Sequence, residues 1–573
     1  MTKVLVLGRE VRSFLTVVRS LGRRRVAVHV GWCPPESPAL HSKYVVAAHN
    51  IPAYSPRSSA WEQALVSVMR QENFDLVIPT DDSTLIPLQC RRTNLETFGA
   101  IYLLDDPVFA VVFDKLKSHE LAKSLRIPTP QSVVVSDPSQ ITRALAEFAF
   151  PLVVKPRSSF TPHDVINRNR PCKVHDVEQL TAYLQTACSD AVLLQEYFVG
   201  KGVGVELLVD GGDVLVAFQH ERIHEPLTGG GSSYRRSVPL KPELRNAAEK
   251  LMRALRYTGV AMVEFRMNFK TGKWVFLEIN GRFWGSLPLA VAAGVDFPYY
   301  LYQLLVEKRR AFPQHYATNL YSRNLSMDAA WMLENFKADK SDPTLTRLSV
   351  WRVAKEVINV ITLRERSDVF VLDDPKPGFV ELVQLIITLW TRVMRELRDS
   401  LLALPPVRRI RMRSAERVIS RARRVLFVCK GNICRSPFAQ YYARAILPPA
   451  VEVYSCGYYP VEGRVCPQTA LAAAKEMGIE LAEHRSKIIS QELLTQADLV
   501  LAFDESDYAT LRNKYPSVRG KMYLLGIFAP RGGITIRDPY GGSIDDFRTV
   551  YRKITRALDS LKSLVIGCQN STS

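Results

Sequence analysis

Apolar runs alternate with amphipathic segments through the front of the chain. MTKVLVLG is an apolar run that ends in a glycine, VRSFLTVVRSLG has the apolar spacing of a helix, and RRVAVHVGW reads as a second strand. The same order returns in WEQALVSVMRQENFDLVIPT. Because strands that alternate with helices form parallel sheets, the pattern predicts a Rossmann-like α/β domain over residues 1–110. The G-x-G-x-x-G spacing of a dinucleotide site is absent from it.

An alternation with period two marks the stretch GVAMVEFRMNFKTGKWVFLEINGRFWGS. Two runs joined by a short turn that contains Gly272 predict an antiparallel hairpin. If the turn is centred near Thr271, Glu264 and Glu278 stand directly opposite each other, and Asn280 shares the face of Glu278. Opposed carboxylates repel in a bare sheet, and a hard cation such as Mg²⁺ reverses the sign of that interaction. The alternative is an acidic pair that faces solvent.

Two lysines precede the hairpin. DKLKSHELAKSLRIPTP predicts a helix that begins near Lys115, and PLVVKPRSS places Lys155 at the end of a strand before a serine-rich loop. Such lysines are usually solvated, so alone they are weak evidence for a phosphate site. The opposed glutamates of the hairpin, which follow later in the chain, strengthen the case that these two lysines belong to a phosphate site.

With these motifs in order, residues 1 to 310 resemble the ATP-grasp ligases. DK, VVKP and QEYFVGKGVGVELLVD match the nucleotide pocket of that family, and F-LEINGRFWGS matches its metal-binding strand. The resemblance implies an ATP-grasp α+β domain that converts a carboxylate into an acyl phosphate for capture by an amine. ATP and Mg²⁺, with Mn²⁺ as a substitute, are the implied cofactors. Small-molecule carboxylate and amine substrates are implied without being identified.

The ATP-grasp resemblance also implies roles for particular residues. The phosphate-binding residues would be Lys115 and Lys155. The hinge on the adenine side would be Glu196, Tyr197, Phe198 and Val199. The metal ligands would be Glu264, Glu278 and Asn280. The contact to the acyl phosphate or transferring phosphoryl group would be Arg282. The loop Glu225–Ser237 would close over ATP, and the candidate substrate contacts are His220, Arg222 and Arg235.

Near the other end of the chain, VCKGNICRSP joins an apolar strand to FAQYYARAIL, which has helical spacing. Ser436 and Pro437 suit a helix N-terminus, where free N–H groups and the helix dipole attract an anion. Cys429 would lie at the base of this cradle, with the fork of Arg435 turned toward the same anion. We expect Cys429 to be largely thiolate, because a helix N-terminus and a nearby cation lower a thiol pKa.

Together with IRDPYGG far downstream, this loop gives the segment Arg424–Leu561 its resemblance to the low-molecular-weight protein tyrosine phosphatases. The resemblance implies a doubly wound parallel sheet and no cofactor. Cys429 would be the nucleophile, Arg435 would hold the phosphoryl oxygens, and Asp538 would act as general acid and then as base. The residues that would shape the loop and pocket are Gly431, Asn432, Cys434, Ser436, Ser455, His484 and Tyr540. An oxidised nucleophile could also form a disulfide with the second cysteine of the loop.

Other interpretations of these residues stay open. Cys429, Cys434, Cys456 and Cys466 are close enough in sequence for a metal site, although they lack the C-x-x-C pairs of zinc ribbons. Arsenate reduction on the same fold needs further cysteines to relay a disulfide, and none follows before position 568. A lone histidine in AEHRS could also be a helix-end or surface residue.

Residues 311–423 are predicted to form a helical region and an arginine-rich linker. Apolar residues within Phe379–Leu404 recur at intervals of four and three, which predicts an amphipathic helix that Pro405 ends. Eight arginines within Arg408–Arg424, against one glutamate, then give a local charge of +7. The segment 378–424 is a candidate for peripheral membrane binding or self-association, and a solvated spacer is the alternative.

Composition excludes several classes of protein. A chain of 573 residues with 47% hydrophobic and 23% charged residues is typical of several globular cores. No run of eighteen apolar residues and no signal pattern occurs, and nine scattered cysteines suit a reducing compartment, so we expect a cytoplasmic protein. The net charge of +19 comes with no nucleic-acid motif, so we expect no nucleic-acid partner.

We therefore interpret the chain as an α/β multidomain protein that fuses two enzymes. The predicted domains are a Rossmann-like domain at 1–110, an ATP-grasp domain at 111–310, the helical region and linker at 311–423, and a phosphatase at 424–565. The phosphatase substrate would be phosphotyrosine in a protein or another phosphomonoester. The alternative is a regulatory protein whose ATP-grasp module only senses nucleotide, which the presence of all three candidate metal ligands disfavours.

Overall fold

The computed structural model describes residues 2–136, 145, 148–166, 168–186, 191–226, 230–337, 348–361, 365–530, 533–542 and 544–569. It divides into two compact units that cover mainly residues 1–386 and 387–573.

The first unit opens with a parallel sheet. Its strands are β1 (Lys3–Leu7), β2 (Ala27–Gly31), β3 (Val45–His49) and β4 (Leu76–Pro79), in the order β3-β2-β1-β4. The helices that accompany and follow them are α1 (Val11–Arg23), α2 (Ala60–Glu72), α3 (Asp82–Cys90), α4 (Arg92–Leu95), α5 (Asp106–Val112) and α6 (Lys115–Ser124). All pairs are parallel, which confirms the predicted α/β domain. Apolar residues fill both faces of the central strand because helices cover each side of such a sheet.

A four-stranded antiparallel sheet follows. Its strands are β5 (Ser132–Val135), β6 (Leu152–Pro156), β7 (Cys172–Val174) and β8 (Val192–Glu196), in the order β5-β8-β6-β7. The helix α7 (Val177–Thr186) lies between β7 and β8 in the chain.

A seven-stranded sheet completes the first unit. Its strands are β9 (Lys201–Asp210), β10 (Asp213–His224), β11 (Tyr234–Ser237), β12 (Gly259–Met267), β13 (Trp274–Asn280), β14 (Tyr321–Arg323) and β15 (Arg366–Ser367). The order is β13-β12-β9-β10-β11-β14-β15, and only the last pair is parallel among these described strands. The helices in this region are α8 (Pro242–Leu255), α9 (Leu287–Ala292), α10 (Phe297–Leu305), α11 (Leu325–Lys337) and α12 (Val350–Ile361).

Two glycines of β9 make room for large side chains from β10. A Cβ atom on Gly204 would lie 2.3 Å from His220 Cε1, and one on Gly202 would lie 2.6 Å from Arg222 Cδ. Both distances are too short for any Cβ, so the G-x-G spacing in GKGVGVELLVD is a packing requirement. The two side chains can therefore lie across β9 toward β12.

The predicted antiparallel hairpin and the pairing of Glu264 with Glu278 are confirmed, but that pairing depends on a β-bulge between Glu264 and Phe265 that the sequence did not predict. Strands β12 and β13 pair antiparallel, and Glu264 stands opposite Glu278. The turn is closed by a hydrogen bond from the Gly272 backbone N–H to the carbonyl oxygen of Asn268, 2.8 Å apart. The two glutamates therefore share one face of the sheet.

The second unit contains another parallel sheet. Its strands are β16 (Arg424–Cys429), β17 (Glu452–Gly457), β18 (Leu499–Ala502) and β19 (Met522–Leu524), in the order β17-β16-β18-β19. Its helices are α15 (Arg435–Ile446), α16 (Gln468–Lys475), α17 (Gln491–Gln496), α18 (Glu505–Lys514) and α19 (Ile544–Gln569). The chain leaves β16 first toward one edge and then toward the other. This order confirms the doubly wound sheet and puts a crevice at the carboxyl end of β16.

Two helices precede this sheet, α13 (Lys376–Ala403) and α14 (Pro405–Ile419). The limits of α13 match the predicted amphipathic helix. The linker prediction is wrong for α14, because Pro405 begins a new helix, in whose first turn a missing N–H costs nothing. Ala415 and Ile419 of α14 are buried against the phosphatase core. Within α13, Lys376–Met394 is long and apolar enough to cross a membrane, judged by length and composition alone.

Candidate active sites

The three predicted metal ligands of the first unit lie side by side. Asn280 Nδ2 donates to Glu264 Oε1 at 3.1 Å, and Glu264 stands opposite Glu278. Arg222 Nη2 also contacts Glu264 Oε1, at 2.7 Å. The Glu264 side chain is 13% exposed, so the alternative of an acidic pair that faces solvent is wrong. Oxygen donors grouped in this way suit a hard cation.

Two buried lysines approach the same glutamates. Lys155 Nζ lies 3.4 Å from the carbonyl oxygen of Leu277, and Lys115 Nζ donates to Ser159 Oγ at 2.8 Å. Burial lowers the pKa of Lys155 to about 8, with Glu278 opposing the shift, and burial also lowers the pKa of Lys115. Burial by itself raises the pKa of Glu278, but the surrounding cations, with Lys115 and Lys155 the strongest, together outweigh it, and the net shift is downward. The cluster therefore keeps a carboxylate beside two cations.

A narrow cleft opens between these groups. Lys115, Ser159, Glu278 and Asn280 are among the residues that line it. Asp82, which the sequence analysis did not single out, lines the same cleft.

Arg282 is held in place by this aspartate. Arg282 Nε and Nη2 donate to the two carboxylate oxygens of Asp82 at 3.0 and 3.1 Å, while Nη1 donates to the carbonyl oxygen of Phe283 at 2.9 Å. The fork predicted to meet a phosphoryl group is thus paired with a carboxylate from α3. A bidentate pair fixes the guanidinium plane next to the cleft.

All three candidate substrate contacts are buried, and two of them, His220 and Arg235, are paired with carboxylates other than Glu264. His220 Nδ1 lies 2.9 Å from Glu206 Oε1, which also accepts from Ser286 Oγ at 2.6 Å. Arg235 lies in β11 and pairs closely with Asp368. The expectation that Arg235 belongs to a mobile loop is wrong, because pairing with β10 and β14 holds it. Residues 227–229 of the predicted Glu225–Ser237 loop lie outside the described residues.

The predicted adenine-side hinge connects the two antiparallel sheets. Glu196 ends β8, and Tyr197, Phe198 and Val199 lead toward β9. Glu196 Oε1 accepts from the backbone N–H of Gln131 at 3.1 Å.

In the second unit, Cys429 ends β16 and is buried at the bottom of a tight loop. Its Sγ lies 3.0 Å from Ser436 Oγ and 3.3 Å from the backbone nitrogen of Asn432. Burial raises the pKa of Cys429, Arg435 opposes that shift and Asp507 adds to it. The expected lowering of the thiol pKa is therefore wrong for this arrangement, because desolvation of the thiolate is the largest effect.

Arg435 lies beneath the loop among three carboxylates. Nη1 lies 2.6 Å from Asp504 and 3.2 Å from Asp507, and Nη2 lies 3.1 Å from Asp538. Nη1 also donates to the carbonyl oxygen of Ile536 at 3.0 Å. The sequence analysis did not predict two of these carboxylates, Asp504 at the N-cap of α18 and Asp507 in its first turn. Their signal is FDESDY, which directly follows β18 at the edge where Cys429 lies.

A hydrogen-bond network supports the loop. Asn432 adopts φ +50°, and its Nδ2 donates to Ser436 Oγ and to Ser455 Oγ, each at 2.9 Å. His484 Nε2 lies 3.0 Å from the carbonyl oxygen of Asn432. The alternative of a surface histidine is wrong, because His484 is buried. Gln440, unpredicted, accepts from Ser455 Oγ at 2.5 Å.

The rim of the pocket is more open. Asp538 is 38% exposed at its side chain, and Tyr540 beside it is 65% exposed. The backbone N–H of Tyr540 donates to Asp538 Oδ1 at 3.3 Å. Arg464 Nη2 donates to the carbonyl oxygen of Gly431 on the loop.

Three further thiols surround the nucleophile. Cys434, Cys456 and Cys466 are buried, and burial raises the pKa of each, to about 12 for Cys466. Within the described part of the chain, the close group of potential metal ligands is His29, His49 and Glu72, and the four thiols do not form one. The geometry thus gives no support to the zinc alternative.

Comparison with known proteins finds a family match in each half of the chain. Residues 424–566 match the family model for low molecular weight phosphotyrosine protein phosphatases. Residues 189–325 match a model described as ATP-grasp in the biosynthetic pathway with Ter operon.

Two curated relatives cover the phosphatase part. A probable low molecular weight protein-tyrosine-phosphatase, EpsP of Ralstonia nicotianae, is 32% identical over 136 residues, which are 24% of this chain and 91% of the relative. A protein-arginine-phosphatase of Geobacillus stearothermophilus is 35% identical over 138 residues, 24% of this chain and 93% of the relative.

Among solved structures, the biotin carboxylase domain of the Hydrogenobacter thermophilus 2-oxoglutarate carboxylase is 19% identical. It covers 56% of this chain and 73% of its own, with a TM-score of 0.46. Through residues 424–566 the chain belongs to the low molecular weight phosphotyrosine protein phosphatase family, and it joins that domain to an ATP-grasp ligase-like domain.

Proposed function

We propose that the chain is a bifunctional enzyme. The ligase half activates a small-molecule carboxylate with ATP as an acyl phosphate and transfers the acyl group to an amine. The phosphatase half hydrolyses a phosphomonoester through a phosphocysteine. One observation, made in each half, supports the proposal. In the ligase half the buried Lys115 and Lys155 lie beside the candidate metal ligand Glu278. In the phosphatase half the buried Arg435 lies beside the candidate nucleophile Cys429. A free catalytic thiol needs a reducing compartment, so we place the protein in the cytoplasm.

In the ligase half, the residues suited to hold Mg²⁺ are Glu264, Glu278 and Asn280, since hard cations prefer clustered oxygen ligands. Bound Mg²⁺, or Mn²⁺, neutralises charge on the transferring phosphoryl group. Lys115 and Lys155 bind the phosphate oxygens, and an anion beside Lys155 favours its charged form.

Two arginines next to the cleft complete this scheme. Arg282 is oriented by Asp82 and contacts the acyl phosphate. Arg222 approaches from β10 and binds the substrate carboxylate. A guanidinium fork matches the two oxygens of a carboxylate.

In the phosphatase half, Cys429 Sγ attacks phosphorus, and the bond from phosphorus to the leaving oxygen breaks. Asp538 gives that oxygen its proton and then accepts one from the water that hydrolyses the phosphocysteine. Arg435 and the loop N–H groups hold the phosphoryl oxygens. Because Asp538 contacts Arg435 Nη2, the incoming phosphoryl group competes for that donor. Hydrogen bonds from Asn432 and Ser436 to Sγ favour the thiolate against burial.

Three substrate classes are candidates for this pocket. The exposed ring of Tyr540 beside Asp538 offers an aromatic wall, which suits the phenyl ring of phosphotyrosine. One relative is a protein-arginine-phosphatase, so phosphoarginine is the second candidate. A small phosphomonoester is the remaining one.

A crossed experiment on the full chain tests both halves. ADP release from Mg-ATP is measured over a panel of carboxylates and amines, and phosphate release is measured from an aryl phosphate, a phosphotyrosine peptide and a phosphoarginine peptide. Cys429→Ser should reduce phosphate release by at least about a thousandfold and leave ADP release unchanged. Glu278→Gln should do the reverse, because it removes a metal ligand and leaves the thiol in place.

Several outcomes would contradict the proposal. Near-native phosphate release by Cys429→Ser would remove Cys429 as the nucleophile. Tight Mg-ATP binding without ADP release for any acid would instead favour a nucleotide-sensing module. Faster hydrolysis of the phosphoarginine peptide than of the phosphotyrosine peptide would make phosphoarginine the preferred substrate class.

A further inference from the structure

The helix α13 exposes an apolar face over most of its length. Its residues are placed about 100° apart, so the exposed apolar positions fall within one continuous arc of the helix. The large apolar side chains that are exposed along it are Phe379, Leu382, Val383, Ile386, Ile387, Leu389, Trp390, Val393, Met394, Leu397, Leu401 and Leu404. Soluble monomers rarely expose a contiguous patch of this length, and such patches mark interaction surfaces.

In the first part of α13, up to residue 385, the side opposite the apolar arc carries polar residues that contact the first unit. Ser326 Oγ donates to Glu381 Oε1 at 3.0 Å, and Gln384 Nε2 donates to the carbonyl oxygen of Glu36 at 2.8 Å. These contacts hold the first part of the helix with its polar side inward. The length of Lys376–Met394 would allow it to span a bilayer, but spanning would break these bonds and bury Glu381 in lipid.

The next helix provides a row of positive charge. Arg409, Arg413 and Arg417 recur every four residues along α14, and Arg421 follows its end. All four are exposed, and within the described residues their guanidinium groups form neither ion pairs nor hydrogen bonds. The buried side of α14 carries Ala415 and Ile419, so the arginines face away from the phosphatase core.

We propose that the part of the α13 apolar arc that belongs to the second unit, residues 387–404, and the arginine row of α14 in the same unit together bind the surface of an anionic lipid bilayer. The apolar side chains enter the boundary between headgroups and acyl chains, and the arginines bind the phosphate and carboxylate groups of the lipids. Charge decides against a second copy of the chain as the occupant. Two copies would bring like-charged arginine rows together, whereas an anionic bilayer supplies the opposite charge.

Flotation of the full chain with lipid vesicles tests this surface. The protein should float with vesicles of phosphatidylcholine mixed with phosphatidylserine and not with pure phosphatidylcholine vesicles, and added salt should weaken the binding. Trp390→Asp should weaken it at least tenfold, because it places a charge in the apolar arc. The matched control is Trp351→Asp, which changes a tryptophan on α12 that is 82% exposed, and it should leave binding unchanged.

A second pair of variants separates charge from burial. Changing the four arginines of the row to glutamine should weaken binding at least a hundredfold, since each basic residue near an anionic surface contributes about fivefold. The control removes four exposed arginines elsewhere, Arg57, Arg253, Arg512 and Arg556. Phosphate release in solution should be unchanged in every variant, which verifies that the phosphatase unit of each one folds.

Three results would overturn the proposal. One is absence of binding to the anionic vesicles, and another is equal weakening by the row variant and its control. The third is a dimer in the absence of vesicles that Trp390→Asp dissociates, because the apolar arc would then belong to a second copy.

Discussion

Replacing Asp507 by asparagine removes a buried carboxyl group beside the guanidinium of the phosphatase site. Asp507 lies 3.2 Å from Arg435 Nη1 and accepts a hydrogen bond from the Tyr458 hydroxyl at 3.0 Å. Burial raises the pKa of Asp507 from 3.8 to about 7, although Arg435 opposes that shift. Asparagine has nearly the same shape and does not titrate, so the change isolates the cost of the charge.

The sign and size of the effect follow from this pKa. Between the two values the folded protein keeps a proton that the unfolded chain has lost, so stability falls as pH rises from about 4 to about 7. Each pKa unit corresponds to about 1.4 kcal/mol, and the whole displacement amounts to about 4 kcal/mol at alkaline pH. The part that develops between about pH 6 and about pH 8 is about 1.4 kcal/mol, or about tenfold in an opening constant.

Alkylation of Cys456 in the native protein measures that constant. Cys456 is fully buried in the same core, so its labelling reports opening of this unit. The ratio of wild-type to Asp507→Asn labelling rates cancels the ionisation of the thiol, and it should rise about tenfold between about pH 6 and about pH 8. Asp559→Asn, which removes an exposed carboxylate bonded to Tyr442, serves as the control and should show no trend. A ratio that does not change with pH would refute the reasoning.

Two further substitutions test the general-acid role of Asp538 and the packing around Gly204 in the seven-stranded sheet. Asp538→Asn should slow hydrolysis of an aryl phosphate with a poor leaving group by about a hundredfold or more, and less for an activated one that needs no proton; equal losses would contradict the acid role. Gly204→Ala should destabilise the first unit by about 1–3 kcal/mol, because the new Cβ would lie 2.3 Å from His220 Cε1. Its urea midpoint, followed by tryptophan fluorescence, should fall relative to Gly231→Ala, whose Cβ would have its nearest neighbour at 3.7 Å.

Local patterns in the sequence were sufficient for much of the fold. Strand and helix alternation predicted the first parallel sheet, because burial on two faces leaves continuous apolar runs, whereas the parallel sheet of the phosphatase was implied by the family resemblance. Period-two alternation and one short turn predicted the antiparallel hairpin. The register that the turn sets would place Glu264 opposite Leu277, and a β-bulge between Glu264 and Phe265 brings Glu278 there instead. The Cys429 loop was also predicted from a local pattern, because its spacing requires a strand, a turn and a helix N-terminus.

Only the tertiary structure decided which side chains surround the predicted catalytic residues. The pairing of Arg435 with Asp504 and Asp507 joins positions far apart in the chain, which local periodicity does not report. The raised pKa of Cys429 has the same origin, since desolvation depends on everything packed over the thiol. Pro405 ends one helix in sequence and also begins α14, because proline costs nothing in a first turn, and burial of Ala415 and Ile419 against the phosphatase core stabilises that helix.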